Sequence, residues 1–176
     1  NWSMTVGSQT ISSGNGLAPA GQGNAYMTST TANCAASASK VEIKFFPNPA
    51  GSLKYIAAVT GLGGANNYYT KIQSQGSTLY NFLGVYVGFN GGGTGGYGGF
   101  FGITPVSEGR LIVSYDAATD STKVEIDELD NGSIDYTYTF AGASVVGALA
   151  NTGHGIGTYG DQRYDNWNLN GGCGGG

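Results

Sequence analysis

Between residues 109 and 140 the chain alternates apolar and polar positions in three successive runs. That period of two marks antiparallel strands with one face buried. Leu111, Val113 and Tyr115 share one face of the first run, and Arg110, Ile112 and Ser114 the other. In the second run Val124 and Ile126 oppose Lys123, Glu125 and Asp127. In the third, Ile134, Tyr136, Tyr138 and Phe140 oppose Asp135, Thr137 and Thr139. Residues 116–120 and 130–133 join the runs. Asn131-Gly132 in the second joint predicts a tight hairpin turn, because both residue types accept positive φ.

Strands are also predicted over 2–6, 9–12, 24–31, 39–47, 53–60, 67–73, 78–87 and 162–169, with a short apolar run at 144–149. Val41, Ile43 and Phe45 lie on one face of the 39–47 run. Pro47 and Pro49 end it, since proline cannot donate to a ladder. Residues 14–23 and 152–160 read as loops and 61–64 as a glycine turn. Residues 88–102, GFNGGGTGGYGGFFG, read as a low-complexity loop. No amphipathic helix is evident. About eleven or twelve short strands with turn signals every 8–12 residues predict an all-β chain built as a two-sheet sandwich or barrel.

Composition narrows the function classes. At 176 residues the chain is long enough for one domain with a real core, predicted over 1–170, with a Gly-rich tail at 171–176. Gly is 33 residues and aromatics are 12%, which favours tight turns between strands over disorder. A net charge of −4, with seven Lys and Arg of which no two are adjacent, argues against nucleic acid. No apolar window is long enough to insert in a membrane. A chain beginning at Asn1 with no leader is read as a processed, secreted form or a cut piece. Cys34 and Cys173 would close a loop of about 139 residues, worth up to ~4–5 kcal/mol as a disulfide. Two unlinked buried thiols are the alternative.

Several segments together resemble the laminin-G-like, concanavalin A-like jelly rolls. They are Trp2-Ser3-Met4-Thr5-Val6-Gly7-Ser8 leading to Ile11-Ser12-Ser13-Gly14, then Lys40-Val41-Glu42-Ile43 and Asn67-Tyr68-Tyr69. Gly109-Arg110-Leu111 with its following meander and Tyr164-Asp165-Asn166-Trp167-Asn168-Leu169 complete the set. The resemblance implies an antiparallel jelly-roll sandwich and a role among lectins, glycan-binding modules, adhesins and glycosidases. Such domains usually open with a further strand before the Trp segment, so the first strand is expected to be missing here. The resemblance also implies a structural Ca²⁺ held by Asp165, with Asp161 flanking the same strand. Calcium needs six to eight oxygen ligands, so backbone carbonyls would supply most of them.

Glu125-Ile126-Asp127-Glu128-Leu129-Asp130 resembles the E-x-D-x-x-E strand of retaining β-glucanases with this jelly roll. That chemistry needs two carboxylates about 5–5.5 Å apart. Asp130 is one methylene shorter than the Glu expected there and falls near the turn, Glu128 adds a like charge, and the strand offers no aromatic platform. The segment is therefore expected to be a solvated strand face running into an acidic turn, with Glu125 as nucleophile kept as an alternative. His154, the only histidine, reads as an exposed loop residue, and no G-x-S-x-G elbow exists. The 91–99 glycine run lacks a phosphate-loop ending. Tyr97, Phe100 and Phe101 within the 88–102 loop are the expected apolar patch for a ligand or a neighbouring subunit. Asn1-Trp2-Ser3 and Asn131-Gly132-Ser133 are glycosylation sequons.

These readings converge on a non-catalytic extracellular recognition or adhesion module that binds a glycan or cell-surface ligand through rim loops. The alternative is a self-assembling subunit of an extracellular fibre or sheath, in which a neighbouring chain completes an open sheet edge.

Overall fold

The computed structural model describes residues 2–6, 10–12, 15–17, 25–29, 39–46, 54–63, 66–74, 80–89, 92–94, 97–103, 108–116, 119, 121–141, 153–160 and 162–171. Within these it describes the side chains of 40–46, 55–58, 108–115, 119, 121–139, 154–160 and 162–168. The strands are β1 (Trp2–Val6), β2 (Thr10–Ser12), β3 (Asn15–Leu17), β4 (Ala25–Ser29), β5 (Ser39–Phe46), β6 (Lys54–Gly63), β7 (Asn66–Ser74) and β8 (Tyr80–Phe89). They continue as β9 (Gly92–Thr94), β10 (Tyr97–Ile103), β11 (Gly109–Asp116), β12 (Ser121–Asp127), β13 (Tyr136–Ala141), β14 (Gly153–Tyr159) and β15 (Arg163–Gly171). One sheet runs β1-β4-β14-β6-β7-β8-β10, with β9 also on β8, and the other runs β13-β12-β11-β5-β15-β3-β2. The chain is an all-β, two-sheet antiparallel jelly-roll sandwich. Among the described residues no helix is long and apolar enough to cross a membrane.

The alternation read from the sequence sets the core. Val113 lies opposite Val41 on one side and Val124 on the other, and Leu111 lies between Ile43 and Ile126. All six side chains are at most 1% exposed. Each contributes about 1.5–3 kcal/mol by leaving water. Phe45 faces Gly109, where an added Cβ would stand 2.7 Å from the ring's Cζ. The missing side chain on β11 is therefore what lets the ring lie against that strand. In the eight-stranded sheet the consecutive residues Tyr55, Ile56, Ala57 and Ala58 are all buried, so both faces of β6 are covered.

Several expectations are corrected. Residues 153–159, read as part of a glycine loop, form β14 between β4 and β6, and His154 is fully buried rather than exposed. Gly155 and Gly157 face Val59 and Ala57, and ladders on both sides offset the weak strand preference of glycine. Within 88–102, β8 reaches Phe89, and β9 and β10 pair with it, β10 through shifted register. Asn15–Leu17 and Gly61 to Gly63 likewise belong to strands. The β12–β13 connection spans 128–135 rather than 130–133, so Ile134 falls in it and not in β13, with positive φ at Asp130 (51°) and Gly132 (88°). Cys34, Cys173, Asp161 and residues 144–149 and 172–176 lie outside the described residues, while Gly171 pairs with Ser39 as the last residue of β15.

Candidate functional site

Because side chains alternate across a strand, residues opposite the core set share the outer face of the seven-stranded sheet. Strand β5 places Lys40, Glu42, Lys44 and Phe46 there, β11 places Arg110, Ile112 and Ser114, and β12 places Lys123 and Glu125. Strand β15 adds Arg163 opposite Phe46 and Asp165 opposite Lys44. The charges are linked across strands. Lys40 Nζ meets Glu42 at 2.8 Å, Arg110 Nη1 meets Glu42 at 3.4 Å, and Arg110 Nε donates to Asp130 Oδ1 at 2.6 Å. Lys44 Nζ bridges Asp130 at 3.0 Å and Glu108 at 2.6 Å.

The glucanase-like carboxylates are each engaged. Lys123 Nζ holds Glu125 at 2.6 Å. Asp127 is 1% exposed, not solvated as expected. Its Oδ1 accepts the amides of Leu129 (3.2 Å) and Asn131 (3.1 Å), and its Oδ2 accepts that of Gly132 (2.7 Å). It is the internal brace of the 128–135 loop. Asp130 sits 8% exposed between Arg110 and Lys44. Burial pushes its carboxyl up, but hydrogen bonds from Arg110 and Lys44, with their charges, outweigh that and hold it below the usual carboxylate range. In return Glu108 first and Asp130 second hold the Lys44 ammonium above its ordinary value. A paired, part-buried carboxylate of this kind is a poor proton donor near neutral pH, which is the opposite of what a glycosidase acid requires. Further loop contacts include Asp135 Oδ2 accepting the Glu128 amide at 2.7 Å, Asn131 Oδ1 accepting the Ser133 amide at 2.8 Å, and the Asp135 amide donating to the Ile126 carbonyl at 2.9 Å.

On β15 the register shifts between Asp165 and Asn168, with Asn166 at φ 46°, so one extra residue bulges from the ladder. Asp165 Oδ1 accepts its neighbour's amide at 2.8 Å. Among the described residues no three His, Cys, Asp or Glu side chains converge as metal ligands. Asp165 lies opposite Lys44 on β5, and Asp161, the other expected ligand, lies outside the described residues. Tyr97, Phe100 and Phe101 lie on β10 at the end of the eight-stranded order, away in sequence and sheet from the acidic motif. Sequence reasoning missed the contact of Arg163 with Phe46, whose ring centroid is 4.3 Å from the guanidinium carbon. Register alone could have found it, since both residues fall on outward positions of adjacent strands.

No protein-family model matches this chain, and no curated protein does. Solved structures do. A carbohydrate binding module, CBM66, from Bacillus subtilis is 12% identical with a TM-score of 0.63, over 96% of this chain and 94% of that one. The exoplasmic/lumenal domain of VIP36 in its Ca²⁺/Man3GlcNAc-bound form is 12% identical with a TM-score of 0.66, over 96% and 82%. A legume lectin-like domain from Entamoeba histolytica is 12% identical with a TM-score of 0.64, over 97% and 90%. At such identities the likeness speaks for the fold alone, the jelly roll these lectin-like domains share, and not for laminin-G domains in particular.

Proposed function

We propose that this chain is a non-catalytic glycan-recognition module working outside the cell or in a lumenal compartment. The observation that carries the non-catalytic part is the state of the acidic motif. Glu125, Asp127 and Asp130 are respectively ion-paired, spent on three backbone amides and clamped between two cations. Support for glycans comes from two proteins of similar fold, a carbohydrate binding module and a lumenal domain bound to Man3GlcNAc, each aligned over nearly all of this chain. Tyr97, Phe100 and Phe101 on β10 remain the proposed apolar ligand contacts, offered by an edge strand rather than a rim loop. Calcium remains in the proposal as a structural ion held by Asp165, its site completed by residues outside the described set, Asp161 among them.

A glycan array carrying plant, fungal, animal and bacterial glycans tests the reading. Retention on at least one class is expected, weakened by Tyr97→Ala or Phe100→Ala. No retention on any class overturns it. A self-assembling subunit is the second reading, favoured by the edge positions of β1 and β10 among the described strands. Light scattering that finds a monomer at every concentration removes it.

A further inference from the structure

Arg163 stands apart from the other cations of the outer face. Among lysines and arginines with described side chains, Lys40, Lys44, Arg110 and Lys123 each have a carboxylate within 3.4 Å. Among the described residues Arg163 has none, and its guanidinium carbon lies instead over the Phe46 ring, 4.3 Å from its centroid. Stacking engages the flat face of a guanidinium and leaves its in-plane N–H donors free. The side chain is exposed, while Tyr164 beside it is buried, so the arginine is open to solvent on a strand anchored in the core. Asp165, half-buried, follows two positions along the same face, about 7 Å away by strand rise. Its Oδ1 takes the Asn166 amide rather than the arginine, and Lys44 opposite it is spent on Glu108 and Asp130.

We propose that Arg163 reads the carboxylate of an acidic sugar, and that the ligand class of this module is a uronic-acid-bearing glycan. This rests on the glycan-recognition reading above and adds a second contact surface to it. Two parallel N–H donors of a guanidinium match the two oxygens of a carboxylate. Stacking on Phe46 orders the donor before the ligand arrives, so less freedom is lost on binding. Asp165 and the exposed Asn168 lie where the hydroxyls of the same ring or the next would seek an acceptor and an amide. The net charge of −4 opposes a single carboxylate here only through Asp165, which faces Lys44 across the ladder, because exposed charges beyond about 8 Å are screened at physiological ionic strength. It does oppose densely sulfated chains, which need clustered cations.

The experiment compares glucuronoxylan and hyaluronate with their carboxyl-reduced forms, in which each uronate becomes a neutral hexose, by affinity electrophoresis and calorimetry. At least one acidic form is expected to bind about tenfold or more tighter than its reduced form. Arg163→Ala should equalise the two, and Arg163→Lys, which keeps charge without the fork, should recover only part of the difference. Arg163→Gln, which keeps the stem over Phe46, repeats the test if the alanine variant melts early. Equal binding of acidic and reduced forms, or a preference surviving in Arg163→Ala, overturns the proposal. So does a preference for chondroitin sulfate that survives carboxyl reduction, since the oxyanion would then be sulfate. Binding confined to neutral glycans overturns it and leaves the glycan-recognition reading standing, whereas no glycan binding at all overturns both.

Discussion

Replacing Asp127 by alanine removes the acceptor of three backbone amides at once, at 3.2, 3.1 and 2.7 Å. Hydrogen bonds to a charged group contribute about 1.5–3 kcal/mol each when their partners stay buried. Leu129, Asn131 and Gly132 are all exposed, so their amides regain water and the loss per bond falls toward about 1 kcal/mol. The sum is about 3 kcal/mol, or roughly 6–12 °C in melting temperature for a domain of this size. Asp127→Asn should cost about half as much, because its amide group can replace one oxygen but meets at least one N–H donor to donor. Urea unfolding followed by tryptophan fluorescence measures both. An Asp127→Ala variant within about 0.5 kcal/mol of wild type would refute the reasoning. It would also reopen the view that this carboxylate is kept for chemistry rather than for the loop.

Asp130 gives a pH signature. Its carboxyl is held below the usual range, so the unfolded chain binds a proton more readily, and stability rises with pH across that window. The stabilisation is complete above the ordinary carboxylate value near ~4 and is lost as pH falls through the depressed folded value. Denaturation from pH 6 down to 2 should therefore show a slope that Asp130→Asn flattens, and an unchanged slope would contradict the clamp by Arg110 and Lys44. Gly109→Ala should destabilise by about 1–3 kcal/mol through overpacking, because the new Cβ would meet the buried Phe45 ring at 2.7 Å. Thermal melting checks it, and restoration by Gly109→Ala combined with Phe45→Leu would assign the loss to that contact.

The strands that alternate cleanly are legible in the sequence alone. Period two puts Val41, Ile43, Phe45, Leu111, Val113, Val124 and Ile126 on core faces, and all seven are buried there. Strand β14 is not legible, because GHGIGTY carries glycine at alternate positions and locally signals a turn. Its strand character comes from β4 and β6 on either side, which no local window contains. The same holds for β9 and β10 inside the glycine-rich 88–102 segment. Asn131-Gly132 suggests a tight joint at 130–133, but Asp127 accepts amides across five residues and stabilises a longer loop instead. The candidate site is least legible of all. Asp130 meets Arg110 and Lys44, and Arg163 meets Phe46, only through the register of strands far apart in the chain. The acidic motif is visible as residues, whereas its neutralisation is visible only as geometry.

The most direct measurement applies one polysaccharide panel to both halves of the central claim, recording retention of the protein and the appearance of new reducing ends in the same samples. Retention on at least one polysaccharide with no new reducing ends, unchanged in Glu125→Gln, is the expected result. Release of oligosaccharides that disappears in Glu125→Gln would contradict it, and so would a chain that binds none of the panel.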